Sequence, residues 1–407
     1  MTSLAGRLAA VVPSASASVS AAARSLAAAG HDIVDLGLGE PDFDTPAHIV
    51  AAAARAAEAG DTRYPPTGGT PALKAAVIDK MRRDHGIDVA PGEVIVSNGA
   101  KQVIFDALMA TLEPRDEVLL CAPYFGSYES MTALLGGTTV AVDCPERDGF
   151  ALTPERLEEA ITECSRWLIL NHPSNPTGVV YSHDELRAFG DVLAEHPQVS
   201  VLSDEIYEHI IFDERRFVSF STACPELRDR TLVVNGVSKA YAMTGWRIGY
   251  GVGPAHLIAA MTTVQSQITS GACSVAQAAA VEALTGPQQH IDEFRSAFER
   301  RRDLVVDAIA DIDELTLATP GGAFYAYLGC ARLIGATTSA GEVLADDVAV
   351  AAYLLDNVGV ATVPGAAYGL SPYVRISTAS ADNVIADALT RIATAAADVR
   401  HPVSDTE

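Results

Sequence analysis

The sequence predicts an α/β fold: one large, mostly parallel sheet with a smaller α/β lobe beside it. Three observations carry this. Between residues 94 and 252, seven short apolar runs alternate with helical patterns or tight turns, as in successive strand–helix units. The runs at 118–121 and 167–170 are apolar throughout rather than alternating, as expected of strands covered on both faces. Finally, chemically capable side chains follow successive strand ends, and in an open α/β sheet such ends share one crevice.

The elements follow in order. Residues 14–30 are rich in Ala and Ser and close on Gly30, which reads as a helix with a glycine cap. An irregular loop of glycines, prolines and acids spans 35–46. Pro46 sits in the first turn of a helix running to Gly60. A rigid loop at 64–69 precedes a helix with Leu73, Val77 and Met81 on one face. The strand 94–96 opens through Ser97, Asn98 and Gly99 into a helix, a strand–turn–helix arrangement suited to an anion. Further strands are expected at 118–121, 139–142, 167–170, 199–202, 231–234 and 248–252. The expected helices between them run to Gly136, over 154–163 and over 184–194. Helices follow at 254–268, 274–285 and 287–311, the last with Arg300, Arg301 and Arg302 expected on its solvated face. Short apolar runs at 360–363 and 373–376 alternate with helices at 346–357 and 382–397. The glycine- and threonine-rich stretch 329–345 reads as a surface loop.

Composition bounds the function. In 407 residues, 49% are apolar and 20% charged, an ordinary globular mix. The net charge of −24 disfavours nucleic acid and anionic membranes as partners. An anionic substrate must therefore be captured by local donors. Six cysteines lie far apart with no CxxC, which argues against a metal centre or disulfide framework and favours a reducing, cytoplasmic compartment. The apolar run at 8–12 is too short for a secretion signal and is interrupted by Pro13. No apolar run is long enough to span a membrane.

The sharpest local signal surrounds Lys239, just past the apolar run 231–234. Ser238 and Arg247 flank it as anion donors, and glycines at 236, 245 and 249 let backbone approach a ligand. That combination points to a lysine forming a Schiff base beside a bound phosphate. A pyridine-ring cofactor would also need an anion at its ring nitrogen, which Asp204 supplies. It would need donors to its ring oxygen, which Asn175 and Tyr207 supply, and an aromatic face, which Phe125 supplies. Each also has a plainer local reading. Asp204 could cap a helix, Asn175 could serve a turn, and Phe125 and Tyr207 could be core.

The motifs GEPDFDTP at 39–46, NPTG at 175–178, SDEIYEH at 203–209, SKAYAMTGWRIGY at 238–250, GAFY at 322–325 and YVRIS at 373–377 go further. Through them the chain resembles, over nearly its whole length, the fold-type I pyridoxal-phosphate aminotransferases of class I. It is most similar to the bacterial aspartate and glutamate–prephenate subgroup. The resemblance implies pyridoxal 5'-phosphate as cofactor. Lys239 would be the Schiff-base lysine, Asp204 the partner of the ring nitrogen, and Tyr207 and Asn175 the partners of the ring oxygen. Ser238, Arg247 and the backbone at Ala100 and Lys101 would hold the phosphate, with Phe125 on the ring face. Arg375 would clamp the substrate α-carboxylate, helped by Gly39 and Asn175, and Lys101 would meet a distal carboxylate. Tyr64 would reach the phosphate of another subunit, so the resemblance implies a homodimer with shared sites.

It also implies a seven-stranded large domain over 46–290 and a small domain over 291–407, with residues 1–45 joining the small domain. The expected reaction moves an amino group between aspartate or glutamate and a 2-oxo acid such as 2-oxoglutarate or oxaloacetate. Three positions depart from the subgroup. Phe125 stands where Trp is usual, Gly126 where a bulkier residue is usual, and Val12 where prephenate-active members carry lysine. The smaller Phe125–Gly126 pair could widen the pocket, and together the three leave open an aromatic, neutral or specialised donor. A lyase, decarboxylase or oxidase on the same scaffold, or a cofactor-binding sensor, are the remaining alternatives.

Overall fold

The computed structural model describes residues 2–401. Ser14 caps α1 (Ala15–Ala28) by accepting from the Ala17 amide, and the two-residue β1 (Val34–Asp35) follows. Next come α2 (Ala47–Glu58) and α3 (Pro71–His85). Thr70 caps α3, Pro71 fills its first turn, and Gly86 ends it in the left-handed region. The main sheet is then laid down as β2 (Val94–Ser97), α4 (Ala100–Thr111), β3 (Glu117–Ala122), α5 (Ser127–Leu134), β4 (Thr138–Asp143) and α6 (Pro154–Ala160). It continues with β5 (Ser165–Asn171), α7 (His183–Ala194), β6 (Ser200–Asp204), α8 (Phe220–Ala223), β7 (Thr231–Gly236) and β8 (Gly249–Val252).

These strands form one seven-stranded sheet in the order β2-β8-β7-β6-β5-β3-β4. All neighbours pair in parallel except at β8, which runs antiparallel to both β2 and β7. The reversal has a simple cause. The connection from β7 to β8, residues 237–248, holds no crossover α-helix, and parallel neighbours are usually joined through one. The alternation of side chains feeds two cores. Val94, Val96, Val233 and Tyr250 pack on one face with residues of α3 and α10 (Ser274–Thr285). Ile95, Val118, Leu120 and Leu232 pack on the other with residues of α4 and α9 (Ala255–Ile268). Each such aliphatic contributes about 1.5–3 kcal/mol by leaving water, so the strand ends rest on a stiff base.

The chain continues through α11 (Gln289–Ala310), β9 (Thr316–Leu317), β10 (Tyr325–Gly329), α12 (Asp347–Val358), β11 (Val360–Ala361), β12 (Val363–Pro364), β13 (Tyr373–Ser377) and α13 (Asp382–Ala397). A second, antiparallel sheet has the order β12-β13-β10-β9. β1 pairs in parallel with β11, Val34 against Val360, so the N-terminal segment is stitched to the C-terminal part. Among the described residues no helix is long and apolar enough to cross a membrane.

One expectation fails. Of the three consecutive arginines on α11, only Arg300 is on a solvated face. Arg301 and Arg302 are buried, with side chains 5% and 4% exposed. Burial is tolerated because each guanidinium meets a carboxylate as a two-bond fork: Arg301 meets Asp42 and Arg302 meets Asp213.

Candidate active site

The strand ends do converge. β6 ends on Asp204, and β7 passes through Val237 and Ser238 to Lys239. β5 ends on Asn171, whose Oδ1 accepts from the Asn175 amide at 2.8 Å and so fixes the loop after it. β13 carries Arg375 in from the second sheet. A cavity of about 360 Å³ opens where these segments meet. Eleven of the residues singled out from sequence line it: Gly39, Ala100, Lys101, Phe125, Asn175, Asp204, Tyr207, Ser238, Lys239, Arg247 and Arg375. Tyr64 does not. It is 93% exposed and outside the cavity of its own chain.

The cavity is locally cationic on an acidic chain. Lys101, Lys239, Arg247 and Arg375 face it, against Glu40 and Asp204. Arg375 is the most committed of these, at 2% exposure with no carboxylate pairing it among the described residues. Its guanidinium donates to Asn175 Oδ1 at 3.1 Å, to Ser16 Oγ at 3.3 Å and to the Gly37 carbonyl. It lies over the rings of Tyr325 and Tyr368, at 4.5 and 5.2 Å. Among the described residues, the Arg375 Nε has no partner. A buried, uncompensated cation is costly unless an anion joins it.

Lys239 Nζ donates to the Gly39 carbonyl at 2.7 Å. The rings of Phe324 and Tyr207 lie 5.7 and 5.8 Å away. Burial pulls its pKa down to about 8, with Arg375 and Arg247 acting the same way and Glu40 and Asp204 opposing. Asp204 is pushed up to about 6, again chiefly by burial, although Tyr128 donates to its Oδ2 at 2.6 Å and the Ile206 amide donates to Oδ1 at 3.3 Å. Tyr207 shares a 2.8 Å hydrogen bond with the Tyr325 hydroxyl.

The far end is shaped for an anion. α4 starts at Gly99, with φ of +83° and no side-chain cap, so its first amides face the cavity rather than a capping oxygen. Arg247, itself at a φ of +57°, packs its guanidinium where a Cβ on Gly99 would stand. Gly249 brings β8 against the Ala100 amide, where any side chain would collide. Helix amides, a guanidinium and the nearby Ser238 hydroxyl fit a phosphate-sized dianion.

The sequence profile of the aminotransferase class I and II family matches residues 31–392. The chain belongs to that family. An aspartate/prephenate aminotransferase of Cereibacter sphaeroides is 52% identical over 392 residues, covering 96% of this chain and 98% of that protein. An aspartate aminotransferase of Rhizobium meliloti (strain 1021) is 48% identical over 93% of this chain and 92% of its own. Among solved structures, the aspartate aminotransferase from Rhizobium meliloti superposes with a TM-score of 0.95 at 46% identity, covering 98% of this chain and all of that one. That of Thermus thermophilus with maleate gives 0.90 at 40% identity, over 97% of this chain and all of its own. This aminotransferase is therefore a transaminase, moving an amino group between an amino acid and a 2-oxo acid.

Several cavity residues of the aminotransferase escaped the sequence reading. Tyr128, the second residue of α5, is the hydroxyl donor to Asp204. Ser14 and Ser16 reach the cavity from the start of α1, and Tyr325 from β10. The GAFY motif pointed at Tyr325, but nothing local distinguishes Tyr128 or Ser16 from packing residues. One reading needs correction. Gly126 does not simply widen the pocket beside Phe125, because a Cβ there would stand 2.6 Å from the Ala367 carbonyl. The glycine is required by that backbone approach. A side cavity of about 340 Å³ does lie beyond Phe125, lined by Val12, Pro13, Met131, Leu134 and Tyr368.

Proposed function

We propose that this transaminase holds pyridoxal 5'-phosphate in the cavity described above and uses aspartate or glutamate as amino donor, with oxaloacetate or 2-oxoglutarate as acceptor. The carrying observation is the buried Arg375, which no carboxylate pairs among the described residues, lining the same cavity as the α4 N-terminus and Lys101. Lys101 Nζ lies 5.0 Å from the Phe125 ring and donates to Ser127 Oγ at 3.0 Å. The names of the relatives support the same donor.

When bound, the cofactor supplies an electron sink that lets a proton leave the substrate Cα. The protein does the rest. The α4 amides, Ser238 and Arg247 hold the phosphate. Asp204 holds a proton at the ring nitrogen, and that cation in turn relieves the burial penalty on its carboxylate. Phe125 would cover the cofactor's ring, and Tyr207 and Asn175 would donate to its ring oxygen. Arg375 binds the substrate α-carboxylate as a fork beside Asn175. Lys239 anchors the cofactor covalently in the resting enzyme. Its Nζ would then serve as the base that takes the substrate Cα proton and gives it back. A pKa lowered to about 8 leaves roughly a tenth of that amine neutral at pH 7, far more than in an ordinary lysine.

The test is a single-turnover reaction with individual amino acids. Release of the matching 2-oxo acid is expected, and ammonia, carbon dioxide or peroxide in its place would overturn the reading. Lys239→Ala should lose turnover entirely. Lys101→Ala should hurt aspartate far more than a neutral donor. The side cavity favours a second reading, an aromatic or other bulky donor, which the same donor series ranks. Val12, in place of a cation at that cavity, argues against prephenate.

The proposal extends to organisation. Residues 46–290 form the large domain, 291–407 the small one, and 1–45 join the small one, as the pairing of β1 with β11 supports. The exposed Tyr64 serves the site of a second subunit in a homodimer. Six free cysteines support a cytoplasmic location.

A further inference from the structure

The two candidate cations of the site, Lys239 and Arg375, share a support. Lys239 donates to the carbonyl of Gly39, and Arg375 to that of Gly37. Both carbonyls belong to one irregular loop, residues 37–42, which has no helix or strand of its own. Something else must hold it. At one end, the Gly37 amide donates to Asp35 Oδ1 at 2.9 Å. In the middle, Glu40 accepts from the Thr244 hydroxyl. At the far end the anchor is Arg301 on α11. Its Nη1 and Nη2 meet Asp42 Oδ1 and Oδ2 at 2.8 and 2.9 Å, and its Nε meets Asp382 Oδ1 at 3.0 Å. Its guanidinium stacks 5.0 Å from the Phe43 ring and 5.7 Å from Phe298, and Phe43 lies flat on Phe294 at 4.1 Å. Phe294, Phe298 and Arg301 lie on one face of α11, so a single helical stripe grips the loop.

Arg301 also reaches the chain that leaves Arg375. The Asp42 amide donates to the Ala379 carbonyl at 3.0 Å, and Asp382 opens α13. One buried guanidinium therefore fixes the loop in front of Arg375 and the backbone behind it.

We propose that Arg301 is a positioning residue for the transamination site: through Asp42 it sets the 37–42 loop, and through that loop the places of Lys239 and Arg375. It touches neither substrate nor cofactor. A bidentate pair built on a buried guanidinium suits this task because its geometry is specific as well as strong. Its neighbour Arg302 is equally buried but holds Asp213 and the Pro320 carbonyl instead, away from the loop. Arg302 is thus a built-in control.

This inference rests on the roles given to Lys239 and Arg375 above, and its test separates the two. In the full-length, cofactor-free protein, acetylation of Lys239 by acetic anhydride is followed against pH by peptide mass spectrometry, with surface lysines as internal standard. Asp42→Asn keeps the shape of the carboxylate but loses the charged fork. It should move the Lys239 midpoint down by at least half a pH unit, because an ammonium that loses its carbonyl partner deprotonates more easily. In the loaded enzyme it should raise KM for the amino acid about tenfold and lower kcat much less. Arg301→Lys, which keeps charge without the fork, should recover only part of either effect. Arg302→Met should lower the melting temperature and leave both readouts unchanged. An unmoved midpoint and KM in folded Asp42→Asn protein would overturn the proposal, as would the same changes in Arg302→Met. Failure of the underlying reading shows elsewhere, as turnover surviving in Lys239→Ala.

Discussion

Asp204 illustrates how a residue proposed for the site can work against the fold that holds it. Burial raises its pKa to about 6 from the ordinary 3.8, so the cofactor-free protein binds a proton there that the unfolded chain has released. The sign follows from that. Stability associated with Asp204 is present below about pH 4 and is lost as pH rises toward 6. Asp204→Asn should therefore stabilise the cofactor-free protein at pH 7 by on the order of 2–3 kcal/mol, with the gain vanishing below about pH 4. Urea unfolding at the two pH values measures it, while the same variant should lose transamination. Tyr128 acts the other way. Its 2.6 Å bond is one of the few terms favouring the carboxylate, and a hydrogen bond to a charged group contributes about 1.5–3 kcal/mol. Tyr128→Phe should weaken cofactor retention at least tenfold by dialysis, and more at pH 6 than at pH 8.

At the level of elements, the anion cradle depends on close backbone approach more than on side chains. Gly99 carries a φ of +83° and leaves the space that the Arg247 guanidinium fills. Gly99→Ala should cost stability through the left-handed backbone and displace Arg247 together. Phosphate-ester affinity by titration calorimetry should fall about tenfold or more, whereas Gly245→Ala, with open space around it, should leave it unchanged. The same scale explains what α11 concealed. Three consecutive arginines read as a solvated face because their carboxylates are remote in sequence. Asp42 lies 259 positions from Arg301, and no periodicity within the helix can report it.

Across the whole molecule, the acidic chain and its cationic cavity pull in opposite directions. A net charge of −24 repels a dicarboxylate at long range, where the Debye length at physiological salt is about 8 Å. The value of kcat/KM for a dicarboxylic acceptor should accordingly rise with added salt up to roughly 0.15 M. A steady fall from the lowest salt would mean that the four cavity cations dominate the approach. This scale also shows what the sequence could disclose. Lys239, Asp204 and Asn175 were legible because each follows directly on an apolar strand, and the alternation of elements makes those ends meet. The sense of β8 was not, because a short run reads alike in both directions and the lack of a crossover helix before it carries no strong local signal. Tyr128, Ser16 and Tyr368 reach the site from side chains whose neighbours exist only after folding.

The pairing of β1 with β11 has a consequence for biosynthesis. Residues 34 and 35 leave the ribosome early, but their partners, Val360 and Ala361, are made near the end. Until then the segment carrying Ser16, Gly37 and Gly39 has no strand to dock on, and Arg375 does not yet exist. A nascent chain stalled before residue 360 should fold its central sheet yet leave α1 open to protease. Catalytic competence would then be acquired in one late step, when the two ends of the polypeptide find each other.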